Sequence, residues 1–368
     1  MKKILTAVAI ALVVGGLSVA HAATQAPAGK AKYAIIFKNT GNPYGEKEMA
    51  GFKKAAEEVG AEAILKAPDQ PTAEAQIQMI GELIAQKVAV IAMVGNDPDA
   101  LEPALKKAMK AGIKVLSLDS GVNPASRMVH INQADPERIG RVQVQAIAEM
   151  IGGSGEIAVL SATSQATNQN LWIEWMKKEL AENPKMKNIK LVKVAYGDDL
   201  RDKSVAEMEG LLKTYPNLKG VIAPTTVGIA AAGKVLTDKG LKGKVQLTGL
   251  GLPSEMAEYI ESGVCQWMYL WNPLDVGYLA GFAADNLVKG KITGKVGDKF
   301  VAGKLGEKKV IADGEGTQVM LGDPFKFDAK NIGEWKSVYQ TVFKHSAVSV
   351  KPVCGGSSDG LFFLLRHY

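Results

Sequence analysis

The chain has 368 residues, with 44 lysines and arginines against 38 aspartates and glutamates and a formal net charge of +6. Its basic residues are scattered among acids, as Lys53-Lys54 sit beside Glu57-Glu58, which excludes the basic stripe of a nucleic-acid-binding protein. Two cysteines, Cys265 and Cys354, are too few for a zinc site; one disulfide could join them in an oxidising compartment, but free thiols are the expectation.

The first residues carry Lys2 and Lys3, then an apolar stretch from Ile4 to Val19, then Ala20-His21-Ala22. A positive start, a short apolar core and an A-x-A exit predict a secretory signal over residues 1–22, and therefore a periplasmic protein. The core is short for a membrane span of about 20 apolar residues. Without Lys2 and Lys3 the net charge falls from +6 to +4. The remaining length predicts two domains at about 150 residues each.

Strands and helices then alternate. Tyr33–Phe37 is a buried strand, and 44–59 a helix with Phe52, Ala55, Ala56 and Val59 on one face. Strand 63–66, helix 72–86, strand 88–94, helix 99–111 and strand 114–118 follow. In the helix over 99–111, Asp99 opens the first turn and Lys107 and Lys110 fall near the end, an order that suits the helix dipole. A second series begins near 130, with helix 139–151, strand 156–161, and a polar loop 163–170 leading into a helix through Trp172 and Trp175. It continues with strand 191–195, helix 202–214, strand 220–223, helix 228–239 and strand 245–248. Residues 253–263 and 274–288 are helical, 264–270 is strand-like, and 293–330 reads as hairpins or an irregular extension. The tail 344–368 fits no βα unit, and its role is open.

Repeated βα units predict an α/β chain of two doubly wound parallel-sheet lobes. Ligands of such sheets sit beyond the carboxyl ends of the strands. Those positions hold Lys38, Asn42, Asp97, Asp119, Asn168, Gln169, Pro224, Thr225, Thr226, Leu250, Trp271 and Asn272. Carboxylates and amides can accept from and donate to adjacent hydroxyls, and an indole can cover the apolar face of a sugar ring. Each residue also has a plainer use: Asp97 and Asp99 as helix caps, Asp119 as a turn residue, Lys38 as a surface lysine.

Catalytic patterns are missing from the sequence. His130 is the one histidine of the body, and no G-x-S-x-G accompanies it. There is no H-E-x-x-H, C-x-x-C, phosphate loop or G-x-G-x-x-G after the first strand. A glycosidase using Asp97 and Asp119 is a weaker alternative to capture without turnover. No metal and no cofactor is expected.

Several segments carry a family resemblance: Phe37 to Asn42, Asn96 to Leu101, Asp119-Ser120-Gly121, Thr167 to Trp172, Tyr196 to Asp199, Gly249 to Met256 and Trp271-Asn272-Pro273. Over 31–335 the chain resembles the periplasmic sugar-binding proteins of ABC importers, of the ribose-binding type. It is most similar to the rhamnose-binding branch, with autoinducer-2 receptors as near relatives. The resemblance implies a monomer of two lobes joined by three crossings, closing on a small sugar, L-rhamnose first, for delivery to a membrane permease. A chemoreceptor is a further candidate partner. The implied lobes are 31–130 with 272–293, and 131–271 with 294–335. In the autoinducer-2 receptors a lysine, an aspartate, an Asp-Gln pair, a proline carbonyl and an alanine amide hold the ligand. Here those positions are Lys38, Asp119, Asn168-Gln169, Pro224 and Thr226, so an acid and a small residue are replaced. The aspartate and glutamine of the ribose binders, near Leu250 and Trp271, are absent. A DNA-binding regulator on the same lobes would need an N-terminal helix-turn-helix, whereas the first strand here begins at Tyr33.

Overall fold

The computed structural model describes residues 29–337, so the expected leader (1–22), Cys354 and the tail 344–368 lie outside the described residues. The first lobe is built from β1 (Lys32–Ile36), α1 (Pro43–Glu58), β2 (Glu62–Lys66), α2 (Ala73–Ala85), β3 (Val90–Met93), α3 (Pro98–Lys110), β4 (Lys114–Leu118) and β5 (His130–Asn132). The second holds α4 (Pro136–Met150), β6 (Gly155–Ser161), α5 (Thr167–Glu182), β7 (Ile189–Tyr196), α6 (Arg201–Thr214), β8 (Leu218–Ala223), α7 (Thr226–Asp238), β9 (Gln246–Gly249), α8 (Pro253–Glu261) and β10 (Trp267–Leu270). Then come α9 (Pro273–Val288), β11 (Lys299–Val301), β12 (Glu307–Lys309), β13 (Ile311–Asp313), β14 (Gly316–Met320), β15 (Phe325–Asp328) and α10 (Ile332–Trp335).

One sheet runs in the order β13-β14-β5-β4-β3-β1-β2 and the other β7-β6-β8-β9. Both are parallel apart from the β13–β14 hairpin. The apolar run of β1 is buried because α1 and α9 cover one face of its sheet and α2 and α3 the other. Strand order reverses between β1 and β3, and again between β6 and β8. A doubly wound sheet opens a crevice at such a point, just past the strand ends.

Four helices begin with Asn or Asp followed by Pro: Asn42-Pro43, Asp97-Pro98, Asp135-Pro136 and Asn272-Pro273. In each the first side chain accepts a backbone N–H of the opening turn, and the proline fills a position whose N–H would be unpaired. Helices α1 and α9 approach closely enough to need glycine. A Cβ on Gly277 would stand 1.8 Å from the carbonyl oxygen of Glu48, and one on Gly51 would stand 1.9 Å from that of Leu274.

The chain crosses between lobes at 133–135, 271–272 and 321–324. The third crossing corrects the expected grouping of 294–335 with the second lobe. Strand β14 pairs in parallel with β5, Val319 opposite Ile131, so β13 and β14 extend the first sheet. A strand of three residues would otherwise leave the sheet edge at β5 open. Only β15 and α10 return to the second lobe, where β15 pairs antiparallel with β10. The expected hairpins in 293–330 are β11–β12 and β13–β14. Among the described residues, no helix is long and apolar enough to cross a membrane.

Candidate functional site

Between the two rims lies a pocket of about 340 Å³, lined by Phe37, Lys38, Asn42, Tyr44, Asp119, Gln169, Trp172, Asp199, Pro224, Thr225, Thr226, Leu250, Leu270 and Trp271. That volume takes in the open mouth of the cleft.

The first-lobe wall is fixed from behind. Gln76, fully buried on α2, donates to the carbonyl oxygens of Phe37 (3.0 Å) and Val94 (2.8 Å), and accepts from the Asn96 N–H (3.0 Å). The Asn96 amide in turn donates to the Lys38 carbonyl at 2.9 Å. One amide thus ties the ends of β1 and β3 together and sets where Lys38 emerges. Lys38 is only 4% exposed, and its ammonium reaches Gln169 Oε1 of the opposite lobe at 3.4 Å.

Asp119 follows β4 in the left-handed region (φ 54°), which aspartate tolerates better than most residues. Burial pushes its carboxyl above the usual range; Lys38 opposes that shift and the Asp199 carboxylate adds to it. Asn168 Nδ2 donates to Asp119 Oδ1 at 3.1 Å. Beside this bond the Thr167 hydroxyl meets Ser120 Oγ (3.1 Å) and the Gly121 carbonyl (3.0 Å). The loop after β4 and the start of α5 therefore touch across the cleft.

On the second lobe, α5 begins at Thr167, so the polar run expected as loop to Asn170 is helical from that point and Gln169 comes from the first turn. Pro224, Thr225 and Thr226 lead into α7. Its first-turn N–H groups have no partner within the helix and give that wall donor character. The apolar side is aromatic. Trp172 and Trp271 meet edge to face at 5.7 Å, and the Trp271 indole N–H donates to the Tyr44 hydroxyl at 2.7 Å.

Nine of the twelve expected residues line the pocket: Lys38, Asn42, Asp119, Gln169, Pro224, Thr225, Thr226, Leu250 and Trp271. Asn42 also caps α1. The other three stand elsewhere. Asp97 caps α3, accepting from Asp99 N (3.0 Å) and Ala100 N (3.1 Å), and faces the outer mouth of the cleft. Asn272 caps α9 and lines a separate crevice near Phe325 and Trp335. Asn168 holds Asp119 and borders an adjoining crevice. Sequence reasoning missed Phe37, Tyr44, Trp172, Asp199 and Leu270 as lining residues. Phe37, Trp172 and Asp199 lie within stretches it had singled out, so membership of those motifs was the available signal.

Ser117 and His130 form a hydrogen bond at 2.9 Å, but they are opposite residues of the β4–β5 ladder and Ser117 is fully buried. Burial, then the Arg127 charge, lowers the imidazole pKa to about 3. This is a neutral core histidine. Cys265 is free and buried, with its thiol pushed up to about 12 by that burial. Among the described residues no group of three or more His, Cys, Asp or Glu could hold a metal ion.

Residues 33–292 match the family model described as periplasmic binding protein domain. An ABC transporter solute-binding protein from Clostridium phytofermentas, solved with bound L-rhamnose, is similar at 48% identity and TM-score 0.82, covering 85% of this chain and all of that one. LsrB from Clostridium saccharobutylicum in complex with AI-2 shares the fold, at 22% identity and TM-score 0.78, covering 83% of this chain and 99% of that one. The D-apiose import binding protein of Actinobacillus succinogenes is 26% identical over 190 residues, 52% of this chain and 60% of that protein. The chain belongs to the periplasmic binding protein family, as a solute-binding protein of the ABC-transporter type.

Proposed function

We propose that this protein captures L-rhamnose in the periplasm and delivers it, without chemical change, to the permease of an ABC importer. The observation that carries the reading is the 48% identity, over the full length of the partner structure, to a solute-binding protein holding L-rhamnose. The pocket supports it. Lys38, Asp119 and Gln169 offer charged and amide groups to hydroxyls, while Trp172, Trp271 and Leu250 give an apolar side for the ring face or the 6-methyl group. Asn168 acts behind Asp119, keeping its carboxylate aimed at the ligand. The protein works as an exported monomer.

Autoinducer-2 is the second reading. Lys38, Asp119, Gln169 and Pro224 all line the pocket, and these are the positions the receptors of that signal share. A thermal-shift screen against rhamnose, fucose, ribose and autoinducer-2 separates the two, since a ligand of the folded state raises the melting temperature by mass action. The largest shift is expected with rhamnose. A shift with autoinducer-2 and none with rhamnose would replace the first reading by the second.

A further inference from the structure

Asp199 stands in the turn between β7 and α6, beside Asp198, and both adopt left-handed backbone (φ 54° and 55°). Two successive non-glycine residues in that region cost free energy that an ordinary connection would avoid. The turn sends the two carboxylates different ways. Asp198 pairs with Lys203 at the outer mouth of the cleft. Asp199 is buried to 6% exposure in the pocket wall, where the Thr225 hydroxyl donates to its Oδ1. Asp199 does not cap α6, since the residue at that position is Leu200. A carboxylate offers about four acceptor sites, and the Thr225 bond uses one.

Asp119 reaches the same pocket from the other lobe, equally buried and also left-handed. Two carboxylates and the single ammonium of Lys38 thus converge on the space. That set disfavours an anionic ligand and suits a neutral polyol that gives one hydroxyl proton to each lobe. We propose that Asp199 is a specificity-determining residue that accepts a sugar hydroxyl from the second lobe, distinct from the hydroxyl accepted by Asp119. The inference rests on the sugar reading above.

The test is calorimetry of the mature protein and its Asp199→Asn variant with L-rhamnose and its monodeoxy derivatives. Asparagine keeps the shape and tolerates the left-handed backbone. The variant should bind rhamnose about ten- to fiftyfold more weakly, as expected for loss of a charged acceptor. One deoxy derivative should bind parent and variant alike, and a different derivative should do so for Asp119→Asn. Unchanged rhamnose affinity in Asp199→Asn overturns the assignment. So does an equal loss for every derivative, which is the signature of a merely structural role. If the asparagine variant melts lower than the parent without ligand, Asp199→Gly, which relieves the backbone, carries the same cycle. A parent protein that binds no neutral monosaccharide sinks the sugar reading itself; a binding parent with an indifferent Asp199→Asn sinks this inference alone.

Discussion

The first lobe brings Lys38 and Asp119 to the pocket on loops pinned from behind, whereas the second brings Gln169 and Thr226 on the opening turns of helices. The pinning is specific: Gln76 and Asn96 bond the backbone on both sides of Lys38. The second rim needs no such brace, because a helix start already fixes the direction of its first N–H groups. Lys38 and Asp119 on one side therefore meet Asp199 and the directional amide and helix-start groups on the other. The first rim should carry more of the affinity per residue, and the second should set orientation.

Asp119→Ala should break this asymmetry most severely. Losing a buried charged acceptor costs about 2–3 kcal/mol, roughly a 30- to 150-fold weaker affinity for L-rhamnose by calorimetry. Asp119→Gly is the control, since it removes the same carboxylate while accepting the left-handed φ of 54°. Next comes Lys38→Met, expected to cost about 1.5–2 kcal/mol, read in the same titration. Asn168→Ala should cost only about 1 kcal/mol, because it removes a bond that orients Asp119 and does not line the pocket. An Asn168 effect as large as that of Asp119 would place the binding weight on the second rim and reverse the comparison.

The smallest effect on binding is expected from Glu48→Gln, which probes the interior of the first lobe. Glu48 is fully buried on α1, and both its carboxyl oxygens are without a hydrogen-bond partner. Burial, then the Asp119 charge, pushes its pKa well above the ordinary 4.5. The folded protein therefore holds a proton that the unfolded chain releases. The stability this contributes is complete below about pH 4.5 and is lost as pH rises through the folded value. Melting curves should show Glu48→Gln gaining on the parent as pH increases from 4.5. A difference that stays constant from pH 4 to 8 would show that Glu48 is not held protonated.

Much of this architecture was legible because each βα unit announces itself locally. Strand 114–118 matches β4 residue for residue, and the apolar run at Tyr33 marks β1. What escaped notice was short or non-local. His130–Asn132 is too brief to show alternation, and its pairing with Gly316–Met320 joins residues nearly 190 positions apart, which no periodicity records. The site followed the same division. Looking beyond strand ends led to Lys38 and Asp119, which line the pocket, but the same rule also gathered Asp97 and Asn272. Both precede proline at a helix start, and that dipeptide is the local mark of a cap. Asp199 went unchosen because its inward turn depends on a left-handed backbone that aspartate permits without advertising.

Calorimetric titration of the protein with L-rhamnose tests the central claim most directly. The account predicts one site per chain with sub-micromolar to micromolar affinity, roughly −8 to −10 kcal/mol. Absence of heat with rhamnose, alongside saturable binding of autoinducer-2, would contradict it.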